Sequence, residues 1–407
     1  MSILIYGGSF NPPHAGHVHA VNMASKALEP DRIFLIPTAV PPHKEVAEGT
    51  PAGEERLEMT RLAAGDIPGA AVLDLELRRG GKSYTVDTLR TLKEHYPDEE
   101  LVFLVGTDML LTLDEWRKPE EILSLAAIAL FPREADRRRV IEEKARELTG
   151  RFGGRILLIE GEPLEISSTE LRAALQNREG QDYLPAAVYE HIIRHRLYGA
   201  KPAFSWLREK AHAHLKTKRV PHVLGTEQEA ISLAKRWGLS EEDAAEAAIC
   251  HDITKKLGLE EQLRLCRRYG IMADNYESVS EKLLHAKTGA ELARDLFGLS
   301  REVTEAIRWH TTGREGMNAL QQIIYLADYI EPTRSGFEGL EELRKAAYED
   351  LDAAMELGLR MSLGDVIARG NLPHEDTVRA RKYFLKRLRE KETEPIHVDG
   401  VPDDIAY

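Results

Sequence analysis

Ile3-Leu4-Ile5-Tyr6-Gly7-Gly8-Ser9-Phe10-Asn11-Pro12-Pro13-His14-Ala15-Gly16-His17 decides how the first half of this chain folds. Four residues of strand character run into a glycine pair, and a helix-compatible segment follows from about Gly16. Strand, glycine turn and helix start in that order form an anion site. Glycines let the backbone approach a phosphate closely, and the free N–H groups and dipole of the helix start favour negative charge. His14 and His17, separated by two residues, add side-chain donors for the same phosphates. That suits a reaction whose transition state spreads charge over phosphoryl oxygens. Gly7, Gly8, Ser9 and Phe10 are candidate substrate-binding residues, and His14 and His17 candidate catalytic ones.

Outward from this stretch, short β-rich runs alternate with helical patterns. The runs are Ile33–Ile36, Val72–Leu75, Leu101–Val105, Ile128–Phe131 and Ile156–Ile159, with helix-length segments such as His17–Leu28 and Ser83–His95 between them. The alternation predicts a doubly wound parallel α/β domain over residues 1–197. Tyr198-Gly199-Ala200-Lys201-Pro202 has the composition of a linker. Beyond it strand-like runs vanish, and helix starts such as Ser240-Glu241-Glu242-Asp243 and Ser300-Arg301-Glu302 predict an all-α domain over residues 203–390, followed by a polar tail, 391–407. Each half has its own apolar pattern and is expected to fold alone.

A length of 407 residues exceeds the usual single domain of about 100–200 residues, in keeping with two. A hydrophobic share of 43% with 30% charged residues excludes a disordered or membrane-embedded chain. The longest nearly apolar run, Ile122–Phe131, is about half of the roughly 20 residues a membrane span needs, so a cytoplasmic protein with no membrane partner is expected. A net charge of −13 is the wrong sign for general nucleic-acid binding. Two cysteines, Cys250 and Cys266, make neither a disulfide framework nor a four-sulfur site, so any metal falls to His, Asp or Glu. Homo-oligomerisation stays open.

The opening stretch resembles the HxGH nucleotidylyltransferases, and within them the bacterial nicotinate-nucleotide adenylyltransferases. Further similar motifs follow in that family's order: Pro37–Lys44, Ser83–Leu89, Gly106-Thr107-Asp108-Met109-Leu110 with Trp116, and Ile166–Arg172. The resemblance implies transfer of adenylyl from ATP, carried with Mg²⁺, to nicotinate mononucleotide. It implies Trp116 as a platform for the pyridine ring, the Thr85 region as the reader of the nicotinate carboxylate, and Asp108 as part of the substrate site. Lys44, on a loop after the second strand, meets a polyphosphate as a point charge. Ser167, Ser168 and Thr169 open a helix whose hydroxyls and N–H groups suit the triphosphate, with Arg172 reaching the same charge. Transfer to nicotinamide mononucleotide or to a phosphopantetheine is the competing reading.

In the second half, helical phasing puts polar residues where apolar ones belong. The stripe Val303, Ala306, Ile307 continues to His310, and Leu320, Ile323, Ile324, Ala327 runs on to Asp328. A buried carboxylate needs a cation, a hydrogen-bond network or a metal. His251-Asp252, at the end of a helix that starts at Ser240, offers a nitrogen and a hard oxygen to one ion. The order His222, His251-Asp252, His285, His310, Asp328 resembles the HD-domain phosphohydrolases. The words Leu284-His285-Ala286, His310-Thr311-Thr312-Gly313 and Tyr325–Pro332 resemble one bacterial branch, the symmetrical diadenosine-tetraphosphate hydrolases. Four nitrogens and two carboxylates exceed one ion's needs, so two metal ions, iron or manganese, are expected, and Asp252 is both ligand and candidate catalytic residue. Lys255, one turn beyond His251, is a candidate for holding a phosphate or the leaving group, with Arg314 and Arg334 as weaker ones. Hydrolysis of guanosine polyphosphates or monophosphates, and a non-catalytic nucleotide sensor, are the alternatives.

Overall fold

The computed structural model describes residues 1–42, 48–131, 135–161, 164 and 166–393. They form two compact units, Met1–Ala203 and a second that begins at Phe204. The first unit runs β1 (Ser2–Gly8), α1 (Ala15–Leu28), β2 (Arg32–Pro37), α2 (Gly53–Ala64), β3 (Ala70–Val72), α3 (Leu75–Arg79), α4 (Thr85–His95), β4 (Glu100–Val105), α5 (Thr107–Leu111), α6 (Pro119–Leu125), β5 (Ala126–Leu130), α7 (Ala135–Phe152), β6 (Ile156–Leu158), α8 (Ser168–Gln176) and α9 (Ala186–Arg194). The six strands are all parallel in the order β3-β2-β1-β4-β5-β6. The doubly wound α/β expectation holds.

Alternate residues of each strand bury on opposite faces, as a sheet covered on both sides requires. Ile3, Ile5, Phe103 and Ile128 pack on one side with Val86, Leu89 and Leu92 of α4. Leu4, Leu35, Leu104 and Ala129 pack on the other with Val21 and Ala24 of α1. Chain order reverses between β1 and β4, and the crevice at the carboxyl ends of such strands is where ligands bind in open α/β sheets.

Two local expectations change. The run Val72–Leu75 is not one strand: β3 ends at Val72 and α3 starts at Leu75, with Asp74 at its N-cap. Tyr198–Pro202, despite its linker composition, is bonded into the first unit. Gln176 Nε2 donates to Tyr198 O (2.9 Å), Lys201 N to Leu175 O (3.0 Å) and Arg178 Nη1 to Pro202 O (2.8 Å), while Ala203 N donates to the Tyr189 hydroxyl (2.8 Å).

The second unit contains α10 (Phe204–Ala213), α11 (Val220–Trp237), α12 (Glu241–Cys250), α13 (Leu259–Tyr269), α14 (Glu281–Phe297), α15 (Arg301–Trp309), α16 (Ala319–Ile330), α17 (Leu340–Glu349), α18 (Leu351–Ala368) and α19 (Glu375–Thr393), and no strand among the described residues. Caps set the helices that matter for the site. Ser240 accepts Asp243 N–H (3.1 Å) and Ser300 accepts Val303 N–H (3.1 Å). Asn318 and Gln321 form a reciprocal capping box at the start of α16. The final helix, α19, is charge-rich and also packs inward. Ala380 and Phe384 are fully buried, and Arg387 Nε reaches Asp352 Oδ2 on α18 at 3.0 Å. Among the described residues no helix is long and apolar enough to cross a membrane.

Candidate active sites

In the first unit a cavity of about 660 Å³ opens at the carboxyl ends of β1 and β4. Gly7, Gly8, Ser9, His14, His17, Thr85, Asp108, Trp116 and Ser168 line it, so most of the sequence-derived candidates converge there. His14 N-caps α1, its N–H donating to His17 Nδ1 (3.1 Å) and its Nε2 meeting Ser168 Oγ (3.1 Å). The two imidazoles lie 3.7 Å apart between centroids. Because His17 Nδ1 accepts a hydrogen bond, its neutral ring carries the proton on Nε2 as a donor. Burial lowers the His14 pKa to about 4, and burial together with His14 holds His17 well below its ordinary value, so both are neutral near pH 7. Gly16 is dictated by space: a Cβ there would lie 2.6 Å from Leu164 O and 3.1 Å from His14 Nδ1.

Other candidates sit elsewhere. Phe10, 1% exposed, packs against the His17 ring at 5.2 Å from behind rather than lining the cavity. Ser167 is the N-cap of α8, accepting Glu170 N–H at 3.3 Å. Arg172 donates to Asn11 O (2.8 Å) and Thr169 Oγ1 (3.1 Å), bracing the loop that carries the histidines. Ser167, Thr169 and Arg172 are not among the lining residues. Lys44 lies outside the described residues.

The sequence reading missed Arg56 and Glu76. Arg56 is buried on α2 and donates to three main-chain carbonyls on two loops: Ser9 (2.8 Å), Thr38 (2.7 Å) and Ala39 (3.1 Å). Glu76 is a buried carboxylate on the cavity wall.

In the second unit all six expected ligands converge. His222 lies on α11, His251 and Asp252 follow α12, His285 lies on α14, His310 C-caps α15 and Asp328 lies on α16. His222 Nε2 lies 2.9 Å from Asp328 Oδ1, and His251 Nε2 lies 3.4 Å from Asp252 Oδ2. His285 Nε2 lies 3.2 Å from Asp252 Oδ1 and 3.1 Å from His310 Nε2. Each Nδ1 has its own acceptor: Ala248 O for His251 (2.7 Å), Lys282 O for His285 (2.8 Å), Ile307 O for His310 (2.6 Å) and Glu331 Oε1 for His222 (3.0 Å). Those bonds place the ring protons outward and turn four Nε2 lone pairs inward, toward two carboxylates. His251 Nε2 and Asp252 Oδ1 are buried without a hydrogen-bond partner. Lone pairs facing lone pairs are stable only around cations, so the donor set fits metal ions. His222, His251 and Asp328 bring ligand atoms within 4.8 Å of one another, as do His251, Asp252 and His310.

Protein cations already reach this centre. Lys255 Nζ lies 2.9 Å from His285 Nε2, and Arg219, missed from the sequence, donates to Asp252 Oδ2 at 2.6 Å. Arg334 Nη2 contacts Asp328 Oδ1 (3.1 Å), whereas Arg314 contacts Gln321 (3.4 Å). Burial pushes the Asp252 carboxyl up, but His251, His285 and His310 outweigh it and hold the group ionised. Glu331, also missed, accepts from His222 and from the Thr333 N–H (2.6 Å) and hydroxyl (2.6 Å).

Comparison with known proteins places both units. The cytidylyltransferase-like family matches residues 5–174 and the HD domain matches residues 219–333. A probable nicotinate-nucleotide adenylyltransferase of Citrifermentans bemidjiense is 37% identical over 213 residues, 49% of this chain and 98% of that protein. A probable nicotinate-nucleotide adenylyltransferase/Ap4A hydrolase of Mycoplasma pneumoniae is 28% identical over 364 residues, 88% of this chain and 98% of the relative. A solved HD superfamily hydrolase involved in NAD metabolism, from Clostridium acetobutylicum, is 36% identical, covers 46% of this chain and 100% of its own, and has a TM-score of 0.45. Through its first unit the chain belongs to the nicotinate-nucleotide adenylyltransferase family, and its second unit is an HD domain.

Proposed function

We propose that the chain is a bifunctional enzyme. Its first unit transfers adenylyl from ATP to nicotinate mononucleotide, releasing pyrophosphate. The observation that carries this reading is one cavity holding the His14–His17–Ser168 cluster together with Trp116 and Thr85. An acceptor phosphate oxygen forms a bond to the α-phosphorus, and the bond to the bridging oxygen breaks, with the electron pair leaving on pyrophosphate. His17 donates from Nε2 to the phosphoryl oxygens on which charge builds, and His14 and Ser168 hold the same group. Neutral imidazoles act here as hydrogen-bond donors and no side chain becomes a nucleophile. Mg²⁺ enters with ATP, and Lys44 adds a positive charge to the polyphosphate. Purified protein given ATP and nicotinate mononucleotide should release nicotinate adenine dinucleotide. Preference for nicotinamide mononucleotide or a phosphopantetheine would reject the assignment.

We infer that the HD domain hydrolyses diadenosine tetraphosphate to two ADP. His222, His251, Asp252, His285, His310 and Asp328 would hold two divalent ions, iron or manganese, with Asp252 offering one oxygen toward each group of histidines. Bound there, such ions supply Lewis acidity toward water and phosphate. Lys255 and Arg334 put fixed positive charge at the rim, where the phosphate chain needs it. An intact set of inward lone pairs favours an enzyme over a nucleotide sensor. In ¹⁸O-labelled water the label should appear on the β-phosphate of ADP. ATP plus AMP as products, or turnover of guanosine polyphosphates instead, would reject this substrate.

A further inference from the structure

Glu76 is 5% exposed, and nothing in the adenylyl-transfer chemistry needs a buried carboxylate at its position. Its α3 neighbours Leu75 and Leu77 show that apolar side chains suit this short helix. Burial raises the Glu76 pKa, against which the Thr88 and Ser83 hydroxyls and Arg79 stabilise the charged form. The Thr88 hydroxyl donates to Oε1 at 2.6 Å and itself accepts from Arg79 Nη2 at 3.1 Å. Oε2 accepts no hydrogen bond.

Ser83 is fixed on its other side. Its Oγ accepts Ala39 N–H at 2.9 Å, its own N–H donates to Val40 O at 2.9 Å, and Val40 pairs with Lys82 in an isolated bridge. The carbonyl of the same Ala39 is held by Arg56, which also grips Ser9. Ser83, Ala39 and Arg56 thus link the turn that opens α4 to the loop that precedes the catalytic histidines, while Glu76 holds the same helix at Thr88. That turn, Ser83-Tyr84-Thr85, lines the cavity with Trp116.

We propose that Glu76 is a positioning residue for the acceptor: through Thr88, on the first turn of α4, it fixes the Ser83–Thr85 turn on which nicotinate mononucleotide is recognised. This rests on the adenylyltransferase reading above. The turn reads the acceptor while His14, His17 and Ser168 read the triphosphate, so disturbing Glu76 should weaken one substrate and spare the other.

The test is steady-state kinetics of the full-length Glu76→Gln protein, varying each substrate in turn. The amide removes the negative charge that strengthens the bond from the Thr88 hydroxyl, so KM for nicotinate mononucleotide should rise about tenfold, with kcat and KM for ATP within about twofold of wild type. Thr88→Val should act in the same direction and add little to Glu76→Gln, because both break one contact. Thr88→Ser, which keeps the hydroxyl, should restore acceptor KM relative to Thr88→Val. If Glu76→Gln is insoluble, Thr88→Val reports on the same contact. An unchanged acceptor KM, or a parallel rise in both KM values, overturns the proposal. Wild-type protein that makes no nicotinate adenine dinucleotide overturns the parent reading and this one with it, a result distinct from active wild type with an indifferent Glu76→Gln.

Discussion

The two units solve opposite electrostatic problems. In the first, an open cavity is walled by neutral histidines, hydroxyls and main-chain groups with single carboxylates such as Glu76 and Asp108, and Arg56, Arg172 and Ser83 tie its loops together. His14 Nδ1 and Glu76 Oε2 lack partners there, but among the described residues no group of metal-ligand atoms gathers at that site. In the second, four Nε2 lone pairs and two carboxylates face one another in a buried knot, and His251 Nε2 and Asp252 Oδ1 have no partner. That site is complete only with cations. A third group shows that ligand distance alone does not make a metal centre. Asp274, Glu277 and His374 also bring ligand atoms within 4.8 Å of one another. There, however, Lys287 Nζ lies 2.5 Å from Glu277 Oε1, His374 Nε2 donates to Asp274 (2.8 Å), and His374 Nδ1 accepts Asp376 N–H (3.1 Å). Protons answer the lone pairs, so this group is a polar staple between the segment before α14 and the start of α19.

The largest effect should come from removing a charge that the second centre is built around. Asp252→Ala should abolish diadenosine-tetraphosphate hydrolysis and strip the tightly bound metal, measured by elemental analysis, while adenylyl transfer by the same protein stays at wild-type rate. The mirror variant, His17→Ala, should lower adenylyl-transfer kcat by roughly 10²–10³ with a much smaller change in KM and leave hydrolysis intact. Loss of both activities in either variant would break the comparison. A smaller effect is expected at Glu331, whose carboxylate fixes the His222 tautomer. Glu331→Gln should weaken Mn²⁺ binding, read by calorimetric titration, by about 10–100-fold, with no change in the first activity.

The smallest effect concerns pH. The His14 pKa falls from an ordinary 6.5 to about 4 on folding, so between those values the unfolded chain binds the extra proton. Its contribution is fully present above pH 6.5 and is lost as pH falls toward 4, about 1.4 kcal/mol per pH unit and about 3 kcal/mol in all. Urea midpoints at pH 7, 6 and 5 should fall less steeply for His14→Asn than for wild type. Equal slopes would show that the ring is not buried in the way described.

Strands and helix starts were legible because their signals are local. The β1 run, the glycine turn and the Ser240 and Ser300 caps act within a few residues of themselves. The end of β3 was not, since Asp74 looks like one polar residue in an apolar run, whereas in the fold it takes the N-cap position of α3 and its carboxylate accepts from Arg78 Nε at 2.8 Å. In the second unit His310 and Asp328 were legible from the apolar stripes that they interrupt and His251-Asp252 from the end of its helix, whereas His222 and His285 entered with the resemblance to the HD-domain phosphohydrolases. The supports of these ligands were not legible, because the His222–Glu331 bond spans 109 residues and no local pattern records it. Glu331 did leave a trace, directly after the buried Ile330. Arg56 left one too, sharing a helical face with the buried Met59, Thr60 and Ala63. Tyr198–Pro202 misled because glycine and proline composition says nothing of where backbone groups find partners.

Arg56 also bears on mutational tolerance. Its planar fork reaches carbonyls on two separate loops, whereas a lysine ammonium at the end of a flexible stem offers no such span. The exchange that substitution tables rank as mildest is therefore severe at this site. Arg61, on the same helix, pairs at the surface with Glu58 at 3.5 Å, and lysine serves there as well as arginine. The same letter five residues apart carries two different degrees of freedom, and the difference lies in the acceptors rather than in the side chain.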